Sequence, residues 1–425
     1  MPSGLVILAA YNKEDQFLIG NPQISLFRSV YMHHSPFASE YRQIDFNSRV
    51  SFGQSSVTLD IPRDGDLLRK MWLRINVPDV SGYNWTNNLG HSLLKEVRLR
   101  AGEIILDRQN GEWMNAWGLL SVPESKKFGY NELVGREDTY SLDTDPSGIE
   151  LSGAQELYVP LQFWFSRHDA CAFPLISLQH QNLRLELDIR AIEELVIPAP
   201  ASCTERLPPY QLELKLIGEY IYLDREEKNW FVNQPQVYLI EQIQSDTANE
   251  FCGSVALIRK ELPFNGLLKE IIFLTRYRQR VRDNLLFFYS SQNPTLSDGG
   301  SAYPATSTPG TTDGEHGDIV LSARIQYDSY DIVPELPAKF FRVLQPYDRH
   351  TSTPNDFIYS YSWAIYPEKW QPSGHLNMFR STNATLIVKK TDISLPFPTE
   401  LNVYALVYNI LKIDSGSCGL EFQYA

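Results

Sequence analysis

The chain has only four cysteines, Cys171, Cys203, Cys252 and Cys418, in 425 residues. No pair has CxxC spacing, so neither a zinc knuckle nor a dithiol redox motif is signalled. So few cysteines cannot staple a chain of this length, and free thiols in a reducing compartment are expected. Positive charge is also short: 38 Lys and Arg stand against 51 Asp and Glu, a net charge of −13. Sequence-independent nucleic-acid binding needs clustered cations and is disfavoured. The one alternating basic run, Arg276, Arg278, Arg280 and Arg282, reads as a solvated strand face or loop. Long apolar runs are missing, and no stretch approaches a membrane span. The short run Gly4–Tyr11 lacks a basic leader and makes a poor signal peptide.

Catalytic signatures are missing too. There is no GxSxG elbow, no GxxxxGK[ST] loop, no GxGxxG and no HExxH. The eight histidines are scattered, and the adjacent His33 and His34 point in different directions. Asp143, Asp145 and Gly148 sit at calcium-loop positions, but the closing position is Ala154 and Pro146 stiffens the turn, so a surface turn is expected. No catalytic residue, cofactor site or metal site is assigned, and an enzyme is not expected. Two N-x-[ST] sequons occur. Asn84, in a polar turn, is the better glycosylation candidate. Asn383 leads into an apolar strand and is expected to be partly buried. Without a secretory signal, both are expected to be bare.

What the chain does have is aromatic residues, 23 Tyr, 21 Phe and 8 Trp, and period-two alternation. Met71, Leu73, Ile75 and Val77 point one way while Trp72, Arg74 and Asn76 point the other. Leu183, Leu185, Leu187 and Ile189 alternate with Arg184, Glu186, Asp188 and Arg190. Leu212, Leu214 and Leu216 do the same. These are half-buried strands. Later strands are expected over 269–276, 323–327, 357–366, 385–389 and 401–413. Helical signals are few: Gly111–Leu120, and Asp224–Phe231 with a capping-box pattern. Long loops are expected over 125–148, 197–209 and 290–318. The balance is all-β, of sandwich or barrel type.

One phrase occurs twice. LLKEVRL starts at Leu93 and LLKEIIF at Leu267. Each half also carries a late strand after a polar Asn or Gln, LQHQNLRLEL and STNATLIVKK. Two divergent tandem copies of one β domain, joined near 222–226, would account for this.

Several longer stretches carry a family resemblance: the opening with GNPQI-x-x-F at Gly20–Phe27 and Tyr31–His34, then RDGDLLRKMWLRINVP, Phe163–Ile189, Tyr220–Gln244, Phe341–Pro354, Tyr366–Leu386 and Val403–Leu420. Together, in this order, they resemble the double jelly-roll major capsid proteins of nucleocytoplasmic large DNA viruses. The ending SCGLEFQYA departs from that family's small-residue close. The resemblance implies two tandem jelly-roll β-sandwich domains with a few short helices and long loops: an N-terminal arm over 1–24, a first jelly roll over 25–221 and a second over 222–425. It implies a structural virion protein that forms homotrimeric, pseudo-hexagonal capsomers tiling an icosahedral shell. Implied partners are itself, neighbouring capsomers and minor capsid proteins, with the arm reaching the inner membrane surface; direct nucleic-acid contact is not implied. Its implied place is the virion capsid, assembled in the infected host cytoplasm. On this reading the two LLKE phrases mark equivalent strands. The rival readings are a lectin-like carbohydrate-binding sandwich, a cupin-like metalloenzyme needing converging histidines, and a minor capsid paralogue of the same fold.

Overall fold

The structure is a computed structural model. It describes residues 2–10, 13–29, 31–46, 49–80, 83–136, 153–198, 210–247, 250–251, 255–291, 317–328, 330–380, 383–394 and 397–422. The calcium-loop positions 143–148, most of the loops over 197–209 and 290–318, and Cys203 and Cys252 lie outside these residues. Residues 1–37 form one compact unit and 38–425 another. The first holds helix α1 (Ser3–Ala9), an uncharged helix of seven residues whose Leu5, Val6, Ile7 and Leu8 are exposed.

The second unit is built from sixteen principal strands, eight and eight. The first set is β1 (Phe37–Asp45), β2 (Val57–Asp60), β3 (Leu67–Val77), β4 (Leu94–Ala101), β5 (Ile104–Gln109), β6 (Gln155–Pro160), β7 (Leu183–Ile189) and β8 (Gln211–Leu223). The second is β9 (Gln236–Asp246), β10 (Leu257–Glu261), β11 (Leu267–Tyr277), β12 (Val320–Tyr327), β13 (Tyr330–Pro337), β14 (Tyr359–Ser362), β15 (Ala384–Lys390) and β16 (Thr399–Asp414). The sheet orders are β1-β8-β3-β6 with β2-β7-β4-β5, and β9-β16-β11-β14 with β10-β15-β12-β13. Adding eight to each label converts the first barrel into the second. Each is a jelly roll, two antiparallel sheets closed over one core. The alternation seen in the sequence makes these cores: Met71, Leu73, Ile75 and Val77 are all buried, as are Leu183, Leu185, Leu187 and Ile189.

The duplication holds residue by residue. In the first barrel Leu67 pairs with Ile221 and Leu68 with Tyr220; the register then slips, and Lys70 pairs with Glu219. In the second, Leu267 pairs with Tyr408 and Leu268 with Val407; the same slip follows, and Glu270 pairs with Leu406. Arg69 and Lys269 are therefore the same bulge residue. On the other edge, Phe173 and Pro174 add to Leu68 and Leu67, as Leu376 and Asn377 add to Leu268 and Leu267.

This register corrects the reading of the doubled phrase. LLKEIIF lies on β11, whose counterpart is β3, and the matching text there is LLRKMWL at Leu67. LLKEVRL lies across the start of β4, in the other sheet, whose counterpart is β12. The shared letters occupy unlike environments: Lys269 and Glu270 are fully buried, while Lys95 is exposed and Glu96 half-buried. The late strands do correspond, since β7 and β15 hold the same place.

Other expectations are adjusted. Helix α2 (Gly111–Ser121) and helix α5 (Arg225–Asn233) form where expected, and Asp224 caps α5 by accepting from the Glu227 N–H at 2.9 Å. The loop expected over 125–148 begins instead as helix α3 (Glu124–Val134), closed by Gly135 in the left-handed region (φ 66°). The strand expected over 357–366 is only Tyr359–Ser362. The basic run divides: Arg276 lies on β11 but is ion-paired rather than solvated, 278–282 form helix α6 (Arg278–Arg282), and Arg280 is buried. Two further short helices are α4 (Trp164–Arg167) and α7 (Gln345–Arg349).

Candidate functional site

The two barrels meet along a seam, and many of its polar groups are answered across it. Its anchor is α2. Gly111 opens the helix beneath the His91 carbonyl, where a Cβ would come within 1.9 Å of that oxygen; only glycine fits. Asn110 caps the helix, accepting from the Trp113 N–H at 2.8 Å. Every residue from Gly111 to Leu120 is buried. A helix buried all round must have neighbours on all sides. Here the far side is the outward face of β9-β16-β11-β14, whose Ile272, Leu274, Tyr404 and Leu406 belong to the same apolar cluster as Trp113, Met114 and Trp117. That sheet is therefore buried on both faces, which accounts for the near-continuous apolar run of β16.

Charges pin the contact. Glu112 accepts from Arg276 (3.1 Å), Asn402 (2.8 Å), and the hydroxyls of Tyr289 (3.2 Å) and Tyr404 (2.6 Å). Burial beside this carboxylate pushes both tyrosine hydroxyls well above their ordinary range, so they stay donors. Burial would lower the Arg276 pKa, but Glu112 and Glu400 hold it up as a cation. Trp113 and Trp117 stack with centroids 5.8 Å apart, and the Arg167 guanidinium lies 4.5 Å over Trp117. Arg167 then reaches Glu241 on β9, which also takes the ammonium of the bulged Lys269. A bulge re-aims a side chain, and this one lets both Lys269 and Glu270 turn onto the seam face of the sheet. Glu270 is met by His350 Nε2 at 2.6 Å, while Nδ1 meets Glu368 at 3.1 Å and the ring lies edge-on to Trp117 at 6.2 Å. Burial would lower the His350 pKa, but the facing Glu270, with Glu368 behind, raises it to about 9.

Smaller clasps complete the seam. Asp107 accepts from the Ile243 N–H at 3.1 Å, and burial pushes its pKa up to about 6. Arg136 donates from Nη2 to both carboxylate oxygens of Asp356, at 2.8 and 2.9 Å. The Gln179 and His180 N–H groups share the Gly416 carbonyl at 2.9 Å.

The glycosylation candidates fall differently from expectation. Asn84 is half-buried in a short strand, Tyr83–Trp85, paired with Ile197, rather than in a turn. Its sequon partner Thr86 is buried and donates to the Asn284 carbonyl at 2.7 Å. Asn383 is exposed rather than partly buried. Cys171 and Cys418 are buried free thiols, and burial pushes both up to about 11. Among the described residues, no group of three or more His, Cys, Asp and Glu could hold a metal ion, and His350 serves as a structural link between two carboxylates. The inter-barrel partners were invisible in the sequence, because each side of every pair lies far from the other along the chain.

Comparison with known proteins gives this architecture its context. A major capsid protein N-terminal family matches residues 25–224, and the large eukaryotic DNA virus major capsid protein family matches residues 227–419. A major capsid protein of Phaeocystis pouchetii virus is 30% identical, with 100% of each chain covered. The chain belongs to the major capsid proteins of large DNA viruses. The major capsid protein of Paramecium bursaria Chlorella virus 1 is 29% identical over 99% of this chain and 100% of that one. A chain of the quasi-atomic structure of the PBCV-1 virus capsid superposes with a TM-score of 0.79 at 25% identity, covering 94% of this chain and 100% of that one. The Faustovirus major capsid protein shares the fold alone, with a TM-score of 0.71 at 13% identity over 92% and 93% of the chains. The protein is thus a structural component of the virion capsid and not an enzyme. Its buried charges serve packing rather than catalysis.

Proposed function

We propose that three copies of this capsid protein form a pseudo-hexagonal capsomer, and that such capsomers tile the icosahedral shell. The observation that carries this reading is the in-register duplication. One chain presents two barrels of the same strand order with the same bulge, so three chains around a threefold axis present six similar barrels. Closed symmetry with repeated surfaces is what a shell unit requires. The domain reading is an arm over 1–24 and jelly rolls over 25–221 and 222–425. The arm reaches neighbouring subunits, minor capsid proteins or the inner membrane surface; the exposed Leu5, Val6, Ile7 and Leu8 support this. The net charge of −13 supports a shell without direct nucleic-acid contact. Assembly takes place in the infected host cytoplasm, and Asn84 is the candidate glycosylation position.

Light scattering coupled to size exclusion tests the reading. A mass of three chains with a hexagonal outline in negative stain is expected. A monomer that no capsid partner converts to a trimer would overturn it. Copy number per virion separates a major from a minor capsid role, and peptide mass mapping of virion protein reads the state of Asn84.

A further inference from the structure

The two barrels are built alike but are not covered alike. On the second barrel, Ile272, Leu274 and Tyr404 face outward and are buried under α2. Pairing register assigns their counterparts on the first barrel: Trp72, Arg74 and Ile217. All three are half-exposed, and Tyr41 beside Trp72 is 63% exposed. The edge strands differ in the same way. β9 is buried from Ile240 to Ile243, whereas β1 is exposed over most of 38–45.

The covering side is bare in the reciprocal place. Gln109 pairs with Val97 as Leu336 pairs with Ala323, at equivalent positions. Counting on, Glu112 corresponds to Lys339, Trp117 to Leu344 and Leu120 to Tyr347. Trp117 and Leu120 are buried; Leu344 is 52% and Tyr347 78% exposed, and Lys339 is exposed. Ile365 and Tyr366, just past β14 as α4 is just past β6, are exposed as well. The charge is reversed on the helix side. On the sheet side the cation is lost while the acid is kept: Glu213 stands where Glu400 stands and, among the described residues, pairs only with the neighbouring Lys215 at 3.6 Å and with Asn76. Within the chain, an acid on the helix (Glu112) meets a cation on the sheet (Arg276). In the counterparts, the helix carries Lys339, and the sheet position is Asn76, which donates to the exposed Glu213 at 2.9 Å.

We propose that a second copy of this chain covers the bare face, with its 339–347 and 365–366 segments packed on β1, β3 and β8 of the first barrel. The contact repeats between chains the one made within the chain, with Lys339 on Glu213 in place of Glu112 on Arg276. It is more polar than its internal counterpart, as befits a surface that stays soluble until chains meet. It joins unlike patches head to tail, the type of contact that closes rings. The inference rests on the capsomer reading and gives it a surface.

The test uses the full-length chain, with mass and self-association followed by light scattering. Glu213→Lys and Lys339→Glu should each weaken association about ten-fold or more. The double variant should restore it, and Tyr347→Ala should weaken it without lowering the melting temperature. If the wild type forms trimers and all three single variants associate as it does, the surface is wrong and the capsomer reading stands. If the wild type stays monomeric even with capsid partners, the capsomer reading itself fails. Should Glu213→Lys unfold, Lys339→Glu and Tyr347→Ala still decide, because both residues lie exposed on the covering side.

Discussion

Arg69 and Lys269 stand at one bulge in two copies of the same barrel, and each is answered by a buried glutamate. Arg69 meets Glu219 at 2.9 Å within its own sheet; Lys269 meets Glu241 on β9, which Arg167 of the other barrel also holds. The bulge is inherited by both barrels, while its use has diverged. In the first it closes an ion pair at a half-covered face. In the second it places a cation in the seam between barrels. The pairs bring no catalytic chemistry; they fix how the two sandwiches sit.

The doubled tetrapeptide gives a direct test. Lys269→Ala leaves Glu241 buried beside Arg167 with half its charge compensation gone, and should cost about 3–5 kcal/mol. Lys95→Ala, the same letter in the other LLKE, removes an exposed side chain and should change stability by less than about 0.5 kcal/mol. Denaturant or thermal unfolding of the two variants side by side checks the contrast. Equal effects would contradict the assignment of LLKEVRL and LLKEIIF to non-equivalent strands.

Glu112→Gln should loosen the barrels from each other. The amide keeps the shape but not the charge, so Arg276 stays buried with only Glu400 opposing it. A loss of about 3 kcal/mol or more is expected. The loss falls on the seam rather than on either core. Calorimetry should therefore show one transition broadening or splitting into two. A single sharp transition with unchanged midpoint would show that Glu112 does not couple the barrels.

Much of the fold was legible because strand alternation and capping are local. Met71, Leu73, Ile75 and Val77 declare a core face by spacing alone, and Asp224 with Glu227 declares a helix start. The seam was not legible, because its signals are non-local. Nothing in the letters says that Glu241 will meet both Arg167 and Lys269, or that Glu112 will meet Tyr404. The LLKE error has the same origin. Identical letters need not mark equivalent strands, because equivalence is set by pairing partners and by the bulge. The better textual match, IPRDGDLLRKMWL with LPFNGLLKEIIFL, differs by one residue in its turn and shares fewer consecutive letters. The helix over 124–134 leaves little trace in the sequence, because its apolar content is low and only Asn131 and Val134 are buried.

Asp224→Ala should remove the cap of α5 without disturbing the barrels. The Glu227 N–H loses its acceptor, at a cost of about 1 kcal/mol. No residue of α5 is buried, so little packing compensates. Faster amide hydrogen exchange across Arg225–Asn233, with protection in β8 and β9 unchanged, is the expected result.

His350 should make the seam sensitive to alkali. Burial works against its charge, but Glu270 and Glu368 outweigh burial and set the pKa at about 9, against 6.5 for an ordinary histidine. Between those values the folded chain holds a proton that the unfolded chain has released. Its contribution is therefore complete below about pH 6.5 and is lost as pH rises through 9, and it amounts to something on the order of 3 kcal/mol. Other groups slope the same curve and must be separated, Asp107 and Lys390 among them. Asp107, pushed up to about 6, lowers stability as pH rises from about 4 to 6, below the histidine window. Burial lowers Lys390 to about 8, so the folded chain gives up this proton first and stability gains with pH from about 8 upward, opposing His350 there. The wild type compared with His350→Gln isolates the histidine, because both chains carry all the other titrating groups. Melting temperatures from pH 6.5 to 9 should fall more steeply in the wild type. Parallel curves would mean that His350 enters the seam uncharged.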